Sequence, residues 1–295
     1  MNRMAAILLA LCLAWPALAA RAEAPPPQRV VSLNLCTDQL AVLLLPPDRI
    51  AAVSFLARDP ELSHVADRAA TLPIVHGTAE EILPLKPDLV LAGTFTTRPT
   101  VRLLKAKGIP VLELGLASGF DDIRAQTRAV AAALGVPERG EALLAEMDRR
   151  LAAAAPAAGD ARPRVLTFAP GGFTAGAGTL SDAIMRAAGF ANYAAARGLT
   201  GYGYLPVEAV AADPPDLLVG GREAAGHPSL AGRLLSHPAL ARSVPPAARL
   251  RIPGSLSACG GPFTVEAVER LAAARRALPA AGPQVATAPS GGPGR

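Results

Sequence analysis

Ala79-Glu80-Glu81-Ile82-Leu83-Pro84-Leu85-Lys86-Pro87-Asp88-Leu89-Val90-Leu91-Ala92-Gly93 reads as a short helix, a Pro-Asp corner and an apolar strand closed by glycine. Thr78 stands three residues before Glu81, the spacing of a capping box, so a helix starts there. Pro87 disfavours helical geometry in the residue before it, which stops the helix near Lys86. The unit recurs at Val207-Glu208-Ala209-Val210-Ala211-Ala212-Asp213-Pro214-Pro215-Asp216-Leu217-Leu218-Val219-Gly220-Gly221. Glu80, Pro87, Asp88, Leu89 and Gly93 align without gaps on Glu208, Pro215, Asp216, Leu217 and Gly221. A repeated helix–corner–strand unit predicts two similar lobes, and two lobes predict a cleft.

On either side of the first copy, strands and helices alternate. Arg29 to Leu33 and Ile50 to Ser54 read as strands, with a helix over 39–45 between them. Arg98 to Lys107 reads as a helix closed by Gly108, followed by a strand over 109–114 and a helix over 121–134. This alternation predicts a parallel sheet covered on both faces. From Pro137 to about Ala155, Leu143, Leu144, Met147 and Leu151 share one helical face. Some 19 residues of helix span roughly 28 Å, and the position midway between the copies makes this helix a connector. Arg164-Val165-Leu166-Thr167-Phe168 then resembles Arg29-Val30-Val31-Ser32-Leu33. A helix over 180–188, the second copy, a strand over 249–252 and a helix over 264–278 complete the second half.

The predicted fold is therefore α/β, with two doubly wound lobes joined by a single long helix and a ligand cleft between them. Boundaries fall at 1–24 for a signal peptide, 25–135 for the first lobe and 136–157 for the connecting helix. Residues 158–279 form the second lobe and 280–295 a disordered tail rich in Ala, Pro, Gly and Ser. The leader has Arg3, an apolar run from Met4 to Leu18 and small residues around Ala24, the pattern of a cleaved secretory signal. Its apolar run is short of the ~20 residues that span a bilayer. The net charge of +5 is mild and carries no basic run, so nucleic acid is not an expected partner. The single tryptophan, Trp15, lies in the leader.

Ligands of doubly wound sheets bind beyond the carboxyl ends of the strands. That rule selects the turn at Asn34 and Cys36, the loop from Phe55 to Arg58, and Thr94 and Phe95 after Gly93. In the second half it selects Phe173, Tyr202, Tyr204, Arg222 and Ser257. Phe55, Phe95, Phe173, Tyr202 and Tyr204 suit an apolar or flat ligand body, and Arg58, Arg98 and Arg222 suit anionic ligand oxygens. Cys36 and Cys259 both follow strands on the same expected edge, which predicts a contact across the lobes, either as a disulfide or as paired cleft thiols.

Catalytic signatures are sparse. No dinucleotide fingerprint, P-loop or nucleophile elbow occurs. Cys36 or Ser32 would have to carry an enzyme reading, with no histidine placed beside either. His64, His76, His227 and His237 form no i, i+4 pair and none falls cleanly at an expected strand end, so no direct metal site and no resident cofactor are expected.

The signal peptide, Arg29-Val-Val-Ser-Leu, the stretch from Ala79 to Ala92, and Leu103-Leu-Lys-Ala-Lys-Gly-Ile-Pro-Val together resemble the helical-backbone periplasmic binding proteins of ABC importers. His237-Pro-Ala-Leu and Val244-Pro-Pro-Ala-Ala are similar to that family's second lobe. The resemblance covers about residues 29–278. It implies two lobes on one long helix, periplasmic location, a monomer, and delivery of a metal chelate to a permease dimer in the inner membrane, without chemistry on the ligand. An iron–siderophore complex is the expected cargo, with cobalamin or haem as alternatives. Family members that take cobalamin often use cleft tryptophans, absent after Ala24 here. Haem binders often offer a Tyr or His, a role open to Tyr202 or Tyr204. The family docks through a carboxylate on each lobe, and here Arg98 stands where an acid is expected in the first lobe. Glu223 is the counterpart in the second.

Overall fold

The computed structural model describes residues 25–96, 98–220, 230–233, 235 and 237–278. The first lobe runs β1 (Val30–Ser32), α1 (Leu35–Leu44), β2 (Ile50–Ser54), α2 (Ala66–Ala69), β3 (Ile74–Val75), α3 (Ala79–Ile82), β4 (Leu89–Gly93), α4 (Arg98–Ala106), β5 (Val111–Leu114) and α5 (Phe120–Ala133). Its five strands are all parallel, in the order β3-β2-β1-β4-β5. The order reverses between β1 and β4, the switch point of a doubly wound sheet.

After α6 (Pro137–Ala154) the second lobe repeats this plan. It runs β6 (Arg164–Thr167), β7 (Phe173–Ala175), α7 (Leu180–Ala187), β8 (Ala191–Asn192), β9 (Tyr202–Tyr204), α8 (Val207–Ala212), β10 (Leu217–Val219), α9 (Leu230–Arg233), α10 (Pro238–Ser243), β11 (Arg249–Leu250) and α11 (Val265–Ala277). Parallel strands lie in the order β11-β10-β6-β8, with the reversal between β6 and β10. The expected tail lies outside the described residues.

Alternating strand residues feed separate cores on the two faces of each sheet. Val30, Leu89 and Leu91 pack with Leu40, Leu44 and Val130 on one face. Val31, Val90 and Ala92 pack with Ile82, Val101 and Leu104 on the other. In the second lobe Val165 and Leu217 join Ile184, Met185 and Leu271, while Leu166 and Leu218 join Tyr193, Val210 and Leu240. Burial on both faces is why these strands read as continuous apolar runs.

The repeated corner has one function in both lobes. The Asp88 carboxylate accepts from the backbone N–H groups of Gln28 (2.6 Å) and Arg29 (3.0 Å). Asp216 accepts from the backbone N–H of Arg164 at 2.6 Å. Arg29 donates to the Leu85 carbonyl and Arg164 to the Pro214 carbonyl. Each Pro-Asp corner thus pins the amino end of the central strand beside it, at the edge opposite the expected site. The capping box of Thr78 and Glu81 forms as read. The helix tightens into a 3-10 turn and stops at Lys86, which takes φ 48° before Pro87.

Helix α6 serves both lobes. Leu143 packs against the first core, and Leu144 and Met147 are buried in the second. Arg124 of α5 pairs with Asp148, and Arg150 pairs with Glu269 of α11. Gly140 allows the close approach to α5, since a Cβ there would sit 2.5 Å from that of Ala131. No described helix is long and apolar enough to cross a membrane.

Candidate functional site

Helix α1 starts four residues earlier than the sequence suggested. Asn34 caps it, its Oδ1 accepting from the Thr37 N–H at 3.0 Å. The Asn34 Nδ2 donates to Thr96 Oγ1 at 3.0 Å. This bond spans the β1/β4 switch point and ties the two loops together. Gly93 makes it possible, because a Cβ there would lie 2.2 Å from Asn34 Nδ2. Asn34 is thus engaged in shaping the loop that carries Thr94 and Phe95.

Cys36, in the first turn of α1, is disulfide-bonded to Cys259 with a Cα separation of 5.2 Å. The bond crosses from the first lobe to the segment after β11. Glu61 pairs with Arg251 at 2.7 Å along the same seam, and His64 stacks on Phe263 with ring centroids 4.7 Å apart. Ser32 is fully buried and hydrogen-bonded to Thr37. Both residues that carried the enzyme reading are structurally committed.

Among the described residues eight large apolar side chains are exposed; three of them follow strand ends and three lie on one ribbon. In the first lobe Phe55 follows β2, Phe95 (70 % exposed) follows β4 and Leu116 (74 %) follows β5. Leu116 carried no signal in the sequence beyond its place after a strand. The Arg98 guanidinium lies over the Phe95 ring at 5.7 Å.

Phe173, Tyr202 and Tyr204 were expected on loops. They lie instead on a two-stranded antiparallel ribbon, β7 with β9, in which Phe173 faces Tyr204. Phe173 stacks on Tyr202 with an interplanar angle of 5°, and Tyr204 meets the Phe173 ring edge-on. Tyr202 is 59 % and Tyr204 72 % exposed, so the ribbon presents an aromatic surface to solvent. Three-residue strands with glycines between aromatics lack the length that marks a strand in sequence.

Two other expected contact residues have polar or cavity contacts of their own. Arg58 lies in a 3-10 turn and donates to the Leu72 carbonyl at 2.5 Å. Ser257 lines a cavity of about 60 Å³ within the second lobe, with Thr167, Ser181 and Met185. Arg222 and Glu223 lie outside the described residues.

Two features were missed by sequence reasoning. Asp38 is fully buried beneath the switch point. It accepts from the Ser54 N–H (3.1 Å) and the Ser54 hydroxyl (2.5 Å). Burial pushes its acid up to about 7 against the opposing pull of hydrogen bonds from Ser32 and Ser54. The second is β3, which places His76 directly at a strand end, contrary to the sequence reading.

The fold and this aromatic rim define a two-lobed α/β binding protein. The family model described as periplasmic binding protein matches residues 30–250, and the chain belongs to that family. It is 33% identical over 205 residues to a cobalamin-binding protein of Halobacterium salinarum, a match covering 66% of this chain and 54% of that one. The chain thus spans about half the length of this relative. It is similar in structure to the apo form of a periplasmic haem-binding protein from Roseiflexus sp. RS-1. The TM-score is 0.69 at 30% identity, over 84% of this chain and 97% of that one. A periplasmic haem-binding protein from Pseudomonas aeruginosa gives 0.67 at 27% identity, over 84% and 92% of the two chains.

Proposed function

We propose that this protein is the periplasmic binding component of an ABC importer, capturing a planar metal chelate between its lobes and handing it to a permease in the inner membrane. The observation that carries the reading is the exposed aromatic face of Phe173, Tyr202 and Tyr204. Exposed aromatics cost solvation unless a ligand covers them, and flat rings favour a flat partner. A corrinoid or porphyrin fits this better than the iron–siderophore complex that the sequence suggested. Relatives named for cobalamin and for haem support the same class. The disulfide suits an oxidising compartment. Handover needs no chemistry on the cargo, and Cys36 and Ser32 are engaged elsewhere.

Native mass spectrometry and calorimetry with cyanocobalamin, haemin and a ferric hydroxamate siderophore test this. A one-to-one complex with a tetrapyrrole is the expected result. Binding of the siderophore alone would restore the first reading of the cargo. Binding of none of the three would sink the proposal.

A further inference from the structure

The second sheet reverses its strand order between β6 and β10, and the register sets Thr167 beside Val219 at the carboxyl ends of that pair. The cavity of about 60 Å³ lies there. Its floor is apolar and buried, with Ile184 and Met185 of α7 and Leu271 of α11. Thr167, Ser181 and Ser257 also line it and are only half-buried, so the hydroxyl-bearing residues mark its open side. The Ser181 and Ser257 hydroxyls make no hydrogen bond among the described residues. The Thr167 hydroxyl accepts from the Ala175 N–H at 3.3 Å and lies 3.4 Å from the Thr174 hydroxyl, which joins the cavity wall to the aromatic ribbon.

Ligands of doubly wound sheets bind at the switch point, and an apolar floor beneath unpaired hydroxyls suits a short alkyl stem with a polar tip. A water needs roughly 10–15 Å³ of such space, so the cavity takes about four or five non-hydrogen atoms. That is the size of a carboxamide on a short methylene stem. None of the described lining residues is ionisable. A carboxylate tip would lose its water there without gaining a cation, which disfavours it, whereas an amide both donates to and accepts from serine hydroxyls.

We propose that this cavity is a subsite for one uncharged carboxamide arm of the captured chelate, held by the Ser181 and Ser257 hydroxyls, and that it selects a corrinoid over a porphyrin. The inference rests on the tetrapyrrole reading above. The rim of a corrinoid carries short arms that end in carboxamides, whereas the polar arms of haem end in carboxylates. A macrocycle laid on the ribbon of Phe173, Tyr202 and Tyr204 brings an arm to the opening beside Thr167. The flat ring thus supplies affinity for either class, and the cavity supplies the choice between them.

The test measures, by calorimetry, the binding of cyanocobalamin, of the same corrinoid with its arm amides hydrolysed to carboxylates, and of haemin. The proteins are the wild type and the Ser181→Ala, Ser257→Ala double variant, each checked by thermal unfolding. The wild type is expected to bind cyanocobalamin at least about tenfold more tightly than either carboxylate-bearing ligand. Losing two hydrogen bonds should weaken cyanocobalamin binding by the double variant about tenfold, with haemin binding unchanged. A wild type that binds haemin or the hydrolysed corrinoid as tightly as cyanocobalamin overturns this inference alone. So does a double variant that binds cyanocobalamin as the wild type does, or that weakens all three ligands equally. A wild type that binds none of the three overturns it together with the tetrapyrrole reading.

Discussion

Cys36 and Cys259, 223 residues apart, are joined across the two lobes at the first turn of the helix that follows β1. The bond sits beside the Glu61–Arg251 pair and the His64–Phe263 stack, so one side of the seam is covalently closed. In the chain-entropy account a loop of this length confers up to about 5 kcal/mol by restricting the unfolded chain. The Cys36→Ser, Cys259→Ser double variant is expected to unfold at lower temperature and to release ligand faster. Thermal unfolding with and without reductant, together with stopped-flow dissociation, checks both outcomes.

The Pro-Asp corners are structural and lie away from the rim. Asp88→Ala leaves the N–H groups of Gln28 and Arg29 without their anionic acceptor, and should cost about 1–2 kcal/mol in urea unfolding. Asp216→Ala should behave similarly through Arg164. Ligand affinity should be unchanged in both, and a loss of affinity without a loss of stability would contradict this assignment.

The aromatic ribbon is expected to show the reverse pattern. Tyr202 and Tyr204 are largely exposed, so Tyr202→Ala or Tyr204→Ala should shift the unfolding midpoint little. Each should weaken chelate binding about tenfold, the equivalent of ~1.4 kcal/mol. Calorimetry on the two variants beside the wild type measures it.

Asp38 predicts a pH dependence. Its acid lies near 7 in the folded protein, above its ordinary value of 3.8. Between those values the folded state holds the proton that the unfolded state has released. Stability therefore falls as pH rises from about 4 to about 7, with no further change from this group above that. Asp38→Asn should flatten this part of the profile and be relatively most favourable at pH 7 and above. Urea unfolding at a series of pH values would show the slope, and an identical slope in the variant would exclude Asp38 as its source.

Much of the architecture was legible along the chain because its signals are local. The capping box at Thr78, the stop at Lys86-Pro87 and the apolar run of β4 are each set by neighbours in sequence. The copy at Pro215-Asp216-Leu217 then extended one unit to two lobes, and the face of Leu144 and Met147 located the helix between them. The rim was legible only as a set of strand ends, a rule that selects Phe55 and Phe95 together with Arg58 and Ser257.

The sequence by itself determined two doubly wound lobes on a long helix, because periodicity, caps and corner residues act over a few positions. Tertiary structure decided which of the strand-end residues meet. The two-residue β3 has no periodicity to read, and it exists through pairing with β2, which puts His76 against Phe55. The β7–β9 ribbon likewise depends on segments 29 residues apart finding each other, Phe173 with Tyr202 and Tyr204. Bonding of Cys36 to Cys259 depends on both lobes packing on α6, since a separation of side chains in space is fixed by packing and has no local trace in the chain.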